Sequence, residues 1–274
     1  APLTLLLFGQ WSLVGWLANL VAIPWMTGVV LPLSLAGVVC PPLWTAAAAA
    51  VGWLAPLLQA LAALPGGVWS VAAPPAWMAA GALAGGVWLV LPLPAALRAP
   101  GLVLLLPVLL WQPPRPAPGA FEVLAADIGQ GNAVLVRTAG HDLLYDAGPR
   151  GSPDQDAGQR VLVPLLRGLG VRLDLLVVSH QDSDHSGGAA AVLAAHPGAG
   201  LLASLPAGHP LAALRPPRAC LAGQRWTWDG VRFEVLHPRE QDFAQDPGLR
   251  QPNAHSCVLR VVAGDGASAL LAGD

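Results

Sequence analysis

His180-Gln181-Asp182-Ser183-Asp184-His185-Ser186-Gly187-Gly188 is the stretch on which the reading of this chain turns. Two histidines and two carboxylates fall within six positions, directly after the apolar run Leu173–Ser179, and paired glycines follow. A strand that ends in such a cluster and then turns into a helix has the pattern of a metal site. Imidazole suits zinc, iron and manganese, and added carboxylate shifts the preference toward harder ions such as manganese. Asp182 and Asp184 alternate along the turn and His180 and His185 flank them, so two ligand sets can converge on two ions. Two metals about 3.5–4 Å apart can share a hydroxide nucleophile and steady the leaving oxygen of a phosphodiester. The bland alternative is a hydrogen-bonded turn that caps the next helix, and four metal-binding side chains in six positions weigh against it.

Charge divides the rest of the chain. The sequence has 274 residues and no lysine, and from Ala1 to Trp111 only Arg98 is charged. The other 13 arginines and all 16 acidic residues come later, a net of about −3 for that part. One soluble domain does not distribute charge in this way. A bilayer core takes about 20 apolar residues per helix, so residues 1–111 read as membrane-spanning and 120–274 as a soluble domain. Residues 112–119, Gln-Pro-Pro-Arg-Pro-Ala-Pro-Gly, read as a stiff, extended linker. A bulk basic surface for nucleic acid is absent, so DNA contact would need a local arginine patch or the metals.

Within the membrane half, Trp11–Cys40 exceeds one span, and Pro24 and Pro32 predict a broken or re-entrant helix or an ordinary kinked one. In the first case Gln10, Asn19 and Thr27 would face protein rather than lipid. Further spans are expected at Trp44–Leu64, Trp77–Leu93 and Ala96–Trp111. Nine of the 11 tryptophans lie in this half, several near predicted helix ends, as in an interfacial belt. Gly81, Gly85 and Gly86 offer a small-residue face for close helix packing. Ala1–Phe8 is apolar but lacks the basic flank and cleavage site of a signal peptide. With no initial methionine and a last residue, Asp274, inside a strand-and-turn pattern, the sequence reads as a fragment.

The soluble half alternates strand and helix patterns. Strands are expected at Glu122–Asp127, Asn132–Thr138, Leu143–Asp146, Leu173–Ser179, Leu201–Leu205, Val231–Leu236, Cys257–Val262 and Ala267–Ala272. Helices are expected at Val161–Leu169, closed by Gly170, and at Gly188–His196. This is a mixed α/β domain. Cys220 and Cys257 could pair in an oxidising compartment or remain separate buried thiols, and Cys40 reads as a small packing residue.

The turn and its companions resemble a known family. His180-x-Asp182-x-Asp184-His185 is similar to the H-x-H-x-D-H motif of the metallo-β-lactamase fold, with aspartate at the second ligand position. Asp127-Ile128-Gly129-Gln130-Gly131, Leu144-Tyr145-Asp146-Ala147-Gly148, Ser179–Gly188, Asn253-Ala254-His255-Ser256 and Leu271-Ala272-Gly273-Asp274 follow in the order of the C-terminal domain of ComEC-type competence proteins. The stretch from Gly9 to Pro24 looks like the end of that family's channel-forming domain. The resemblance implies transmembrane helices followed by a metallo-β-lactamase-like αββα sandwich, cut short at its C-terminus.

It also implies roles. His180 and Asp182 would hold a first divalent ion, and Asp184 and His185 a second, with Asp274 bridging both; manganese and zinc both fit. Asp184 and Asp182 would carry the catalysis, Asp184 by orienting the attacking hydroxide. Asp146 would support the ligands from behind, with Asp127 at the same edge. Asn253 could contact metal-bound water or phosphate. The fold usually adds another histidine ligand in this region, which makes His255 a possible extra ligand, although a coincidental surface histidine is the favoured reading. A further histidine would be expected beyond Asp274. Asn132 stands where an aspartate is common.

The remaining histidines His141, His196, His209 and His237 read as solvated, capping or structural. Arg215, Arg218 and Arg225 could meet phosphate but read as solvated surface. Trp226 and Trp228 read as core packing rather than base stacking. No Gly-rich nucleotide loop is present, so no nucleotide cofactor is expected on this chain. The implied function is uptake of DNA across the bacterial inner membrane, with hydrolysis of the strand left outside. The implied partners are single- and double-stranded DNA, the membrane, a DNA receptor and a cytoplasmic helicase. The soluble domain would lie on the periplasmic side of a multi-pass protein. Alternatives are a DNA-guiding domain without catalysis and a membrane-anchored metallohydrolase for another substrate.

Overall fold

The computed structural model describes residues 10–64, 68–70, 72–152, 155–246 and 249–274. The apolar start Ala1–Phe8 lies outside them. The chain divides into two compact units, Ala1–Trp111 and Gln112–Asp274.

In the first unit, β1 (Gln10–Ser12) pairs antiparallel with β2 (Val68–Ser70). Ser12 then caps the helix that follows by accepting from Gly15 N at 2.8 Å. That helix runs through Pro24 into a π-helical segment, Met26–Val30, and on to Ala36. Val14–Ala36 is therefore one apolar helical run of 23 residues, so of the two readings of Pro24 and Pro32 the continuous helix holds and the broken one does not. Asn19 and Thr27 are exposed rather than turned inward, and Thr27 Oγ1 bonds back to Ile23 O at 2.8 Å.

Pro42–Ala62, 21 residues, is the second helix long and apolar enough to cross a membrane. Two shorter apolar helices follow, Ala76–Val90 and Ala95–Leu109. They pack closely at glycine: a Cβ on Gly85 would sit 2.7 Å from Gly101 O. Four tryptophans do more than mark helix ends. The indole N–H groups of Trp25, Trp44, Trp88 and Trp111 donate to the carbonyls of Ala50, Ser34, Leu97 and Ala73, tying one segment to the next.

The second unit is built on two sheets. The first contains β3 (Glu122–Ala125), β4 (Val134–Arg137), β5 (Asp142–Tyr145), β8 (Leu175–Val178), β9 (Gly200–Ala203) and β10 (Arg218–Ala219). Its order is β10-β9-β8-β5-β4-β3. The β3-β4-β5 part is an antiparallel meander, and β5, β8, β9 and β10 run parallel. Between β5 and β8 lies the short pair β6 (Arg150–Ser152) and β7 (Gln155–Asp156). The second sheet is an antiparallel row of β11 (Arg225–Trp228), β12 (Val231–His237), β13 (Val258–Val262) and β14 (Ser268–Leu271).

Side-chain alternation sorts the core into two layers. Leu135, Leu144, Leu176, Val178 and Leu201 pack against Leu162, Leu166, Val192 and Leu193 from the helical segments. Val136, Leu143, Tyr145, Val177 and Leu202 face the other way and meet Phe233, Val235, Leu259 and Val261 of the second sheet. With both faces covered, β4, β5 and β8 are buried along their whole length, apolar except for Arg137 and Asp142 at strand ends. The outer face of the second sheet, with Arg232, Arg260 and Leu270, is exposed among the described residues. Cys220 follows β10 in one sheet and Cys257 precedes β13 in the other, and a disulfide joins them.

The proline-rich stretch 112–119 belongs to this second unit and is fastened to it. Arg115 donates to Thr138 O, Ala139 O and His141 O and pairs with the buried Asp142 at 2.9 Å. Gly119, at φ 82°, bonds Asp229 O and Gly264 N.

Candidate metal centre

The centre forms where β5 and β8, adjacent and parallel, both end. β5 delivers Asp146 and β8 delivers Ser179 and His180. Asp146 sits at φ 61°, in the left-handed region that aspartate tolerates better than most residues. There its carboxylate turns back into the protein and is fully buried. Oδ1 accepts from Ser179 N at 2.7 Å, and Oδ2 accepts from Ser179 Oγ at 2.8 Å, from Asn132 Nδ2 at 3.3 Å and from His185 Nδ1 at 2.8 Å.

The turn itself is packed from outside by glycines. Gly131, at φ 83°, lies against the backbone of Asp184, where any Cβ would collide with the Asp184 carbonyl. Asn132 N donates to that same carbonyl at 3.1 Å. Gly187 and Gly188 press equally closely on the backbone at Pro149–Arg150 and at Ala147 and Gly158. This explains why Gly131 and the paired glycines accompany the motif.

His180 and His185 are each 1 % exposed, with ring centroids 4.2 Å apart. The three carboxylates around them are about half-exposed. His180 Nε2 lies 3.5 Å from Asp182 Oδ2; His185 Nε2 lies 3.2 Å from Asp274 Oδ1 and 3.7 Å from Asp184 Oδ2. Ligand atoms of His180, His185 and Asp274 all fall within 4.8 Å of one another, the one such group of metal-ligating side chains among the described residues.

Electrostatics treats the two rings differently. Burial and the neighbouring His185 push His180 below the ordinary imidazole range, despite three nearby carboxylates. Burial also opposes charge on His185, but the Asp146 hydrogen bond and carboxylate, with Asp274 and Asp184, outweigh it and raise its pKa. Tyr145, beneath the site, is raised by burial and by Asp146, and its hydroxyl donates to Cys257 O at 2.6 Å.

These residues fit a divalent ion. His180 Nε2 is buried and has no hydrogen-bond partner, although a buried polar atom of this kind normally requires one. The donor set is two imidazoles and three carboxylates, which suits ions of the zinc–manganese class.

The family comparisons follow the same division. Residues 126–244 match the metallo-β-lactamase superfamily, and residues 1–96 match the competence protein family. The chain thus joins a competence-protein match to a metallo-β-lactamase match. The competence protein ComA of Neisseria gonorrhoeae is 41% identical over 98% of this chain and 36% of its own length. The uncharacterized protein YcaI of Escherichia coli K12 is 31% identical over 100% of this chain and 35% of its own length. The chain thus spans about a third of the relatives it matches. Among solved structures, a Cronobacter sakazakii metallo-β-lactamase with an HARLDQ motif aligns at a TM-score of 0.38 and 23% identity, covering 59% of this chain and 62% of that one. The superfamily fold implies divalent metal ions.

Several residues that the motifs single out take other places in the second unit. His255 is buried rather than a surface residue, and it is not presented as a ligand. Its Nδ1 lies 3.0 Å from Gln251 O and its Nε2 3.1 Å from Asp242 O, so the ring sits between two backbone carbonyls and a neutral ring donates to one of them. Asn253 is exposed on the same 3-10 turn, Pro252–His255. Asp127 is exposed and closes its own turn by accepting from Gly129 N at 3.3 Å.

His141 is not simply solvated: it pairs with Asp229 at 3.2 Å and stacks on Trp228 at 4.9 Å. Trp226 stacks on Phe233 at 5.1 Å and packs against the inter-sheet core, as the alternation of β11 suggests. The motif pattern gave no role to Ser179 or Ser256, and Asn132 had none beyond replacing an aspartate. All three touch the centre, and the signal that could have found the serines is their position beside motif histidines.

Proposed function

We propose that the protein takes up DNA across the bacterial inner membrane, and that its second unit hydrolyses phosphodiester bonds of the strand that is not transported. The observation that carries this reading is the convergence of His180, His185 and Asp274 within 4.8 Å in a chain whose first part matches the competence proteins. His180 and Asp182 would hold one divalent ion and Asp184 and His185 another, with Asp274 shared; zinc and manganese both suit this set. Bound there, the ions would supply positive charge against phosphate oxygens and make water nucleophilic at neutral pH.

The protein's own groups do the rest. Asp146 fixes the His185 ring, and the low pKa of His180 keeps a lone pair free for coordination. Asp184, half-exposed beside His185, would orient the attacking water. Asp182 keeps a second carboxylate beside His180, where it offsets the charge gathered at the site.

The Cys220–Cys257 disulfide supports a periplasmic placement of this unit, because such bonds persist in oxidising compartments. Two helices long and apolar enough to span support the membrane location. With no nucleotide-binding loop in the sequence, the energy for transport falls to a partner such as a cytoplasmic helicase, and a receptor outside would supply duplex DNA.

DNA cleavage by the full-length protein, with zinc or manganese, tests the reading. Asp182→Ala should lower metal-dependent cleavage at least ~100-fold, the scale on which loss of one key electrostatic group costs rate. Unchanged cleavage by this variant would remove the catalytic assignment.

A further inference from the structure

The Asn253-Ala254-His255-Ser256 motif has no ligand role through its histidine, yet it closes on the centre. His255 is clamped between the carbonyls of Gln251 and Asp242 and so anchors the turn. Ser256 is 2 % exposed. Its carbonyl accepts from His237 Nδ1 at 3.0 Å, and the next residue, Cys257, donates to Ser179 O at 2.9 Å and is held by the disulfide. These restraints bring Ser256 Oγ to 3.3 Å from His180 Nδ1. Ser179 Oγ is on the same nitrogen at 3.0 Å.

Hydrogen-bond direction follows from Asp146. A carboxylate oxygen only accepts, so the Ser179 hydroxyl spends its hydrogen on Asp146 Oδ2. What it offers His180 Nδ1 is a lone pair, so Nδ1 must carry the ring hydrogen. A neutral imidazole has one N–H, so Nε2 is then bare. That atom is the buried nitrogen with no hydrogen-bond partner, 3.5 Å from Asp182.

We propose that Ser256, together with Ser179, is a positioning residue for His180: the two hydroxyls accept its Nδ1 hydrogen and turn a bare Nε2 toward the carboxylates. One buried carboxylate then sets both rings, His185 directly and His180 through Ser179, while Ser256 reaches across from the second sheet to complete the hold. The role of the motif is to seat that hydroxyl. The value of the arrangement for coordination rests on the metal reading above; the hold on the ring does not.

The test is nitrogen NMR of histidine-labelled, metal-free full-length protein at about pH 8, above the usual imidazole range near ~6.5, together with zinc titration. The wild type should show His180 protonated at Nδ1 and bare at Nε2. Ser256→Ala should leave both rings protonated at Nδ1, because Ser179 remains, but should shift the His180 Nδ1 resonance by removing one acceptor and weaken zinc binding about 10-fold, the lower end for lost ligand-orienting partners. Ser256→Thr, which keeps the hydroxyl, should recover most of that loss. His180 protonated at Nε2 in the wild type would overturn the proposal, and so would a His180 Nδ1 resonance or a zinc affinity that is unchanged in Ser256→Ala. The wild-type spectrum decides even if a variant fails to fold. A wild type with the expected tautomer that binds no zinc would overturn the metal reading while supporting the hold on His180.

Discussion

Asp146 Oδ2 and His185 Nδ1 lie 2.8 Å apart, fully buried, at the ends of neighbouring elements separated by 39 positions in sequence. The contact leaves His185 Nε2 facing Asp274 and Asp184. A residue that touches no solvent thereby sets the direction in which the His185 ring faces the half-exposed carboxylates.

Asp146→Asn separates the two parts of this role. Asparagine also tolerates the left-handed backbone, so the fold keeps its turn. An amide oxygen can replace only one carboxylate oxygen, so at least one of the donors from Ser179, Asn132 and His185 loses its acceptor. The expected costs are about 1–3 kcal/mol of stability and a ~10- to 100-fold loss of zinc affinity. Thermal unfolding and zinc titration of the same sample measure both. Wild-type affinity in this variant would show that Asp146 is a packing group alone.

The disulfide should matter to the sandwich as a whole. It closes a loop with a sequence separation of 37 and joins the two sheets. On the chain-entropy model such a loop contributes about 4 kcal/mol. Cys220→Ser with Cys257→Ser should lower the unfolding free energy of the second unit by that order, read by denaturant titration under oxidising conditions. Adding reductant should then destabilise the wild type and leave the double variant unchanged.

Asp229 gives a prediction in pH. It accepts hydrogen bonds from Thr138 Oγ1 at 2.7 Å and Gly140 N at 2.6 Å, and pairs with His141. These contacts hold its carboxyl down at about 2, with the Thr138 hydroxyl the largest cause. A depressed carboxyl stabilises the fold above its unfolded value near ~3.9, and that contribution fades as pH falls toward 2. Asp229→Asn should therefore be less stable than the wild type near neutrality, with the difference shrinking between about pH 4 and 2. A difference that stayed constant across that window in acid unfolding would assign the effect to shape rather than charge.

Much of the site was legible in the residues because a metal turn is local. His180, Asp182, Asp184 and His185 lie within one turn, so spacing alone nearly places them together. Asp274 and Asp146 needed the family pattern, since nothing local joins either to that turn. His255 was open to misreading for the opposite reason. A histidine in a motif looks like a ligand until the carbonyls of Gln251 and Asp242 on its two nitrogens are seen.

The sequence by itself determined the division into an apolar and a charged half, the strand-then-turn placement of the metal motif, and the core strands. Those features depend on composition and on period, which are read along the chain. Tertiary structure alone decided the rest. It made Val14–Ala36 continuous through its two prolines, fastened residues 112–119 to the second unit through Arg115, joined Cys220 to Cys257, and brought Ser256 to His180. Each depends on groups far apart in sequence meeting in space, or on backbone geometry relaxing around a residue that breaks a local rule.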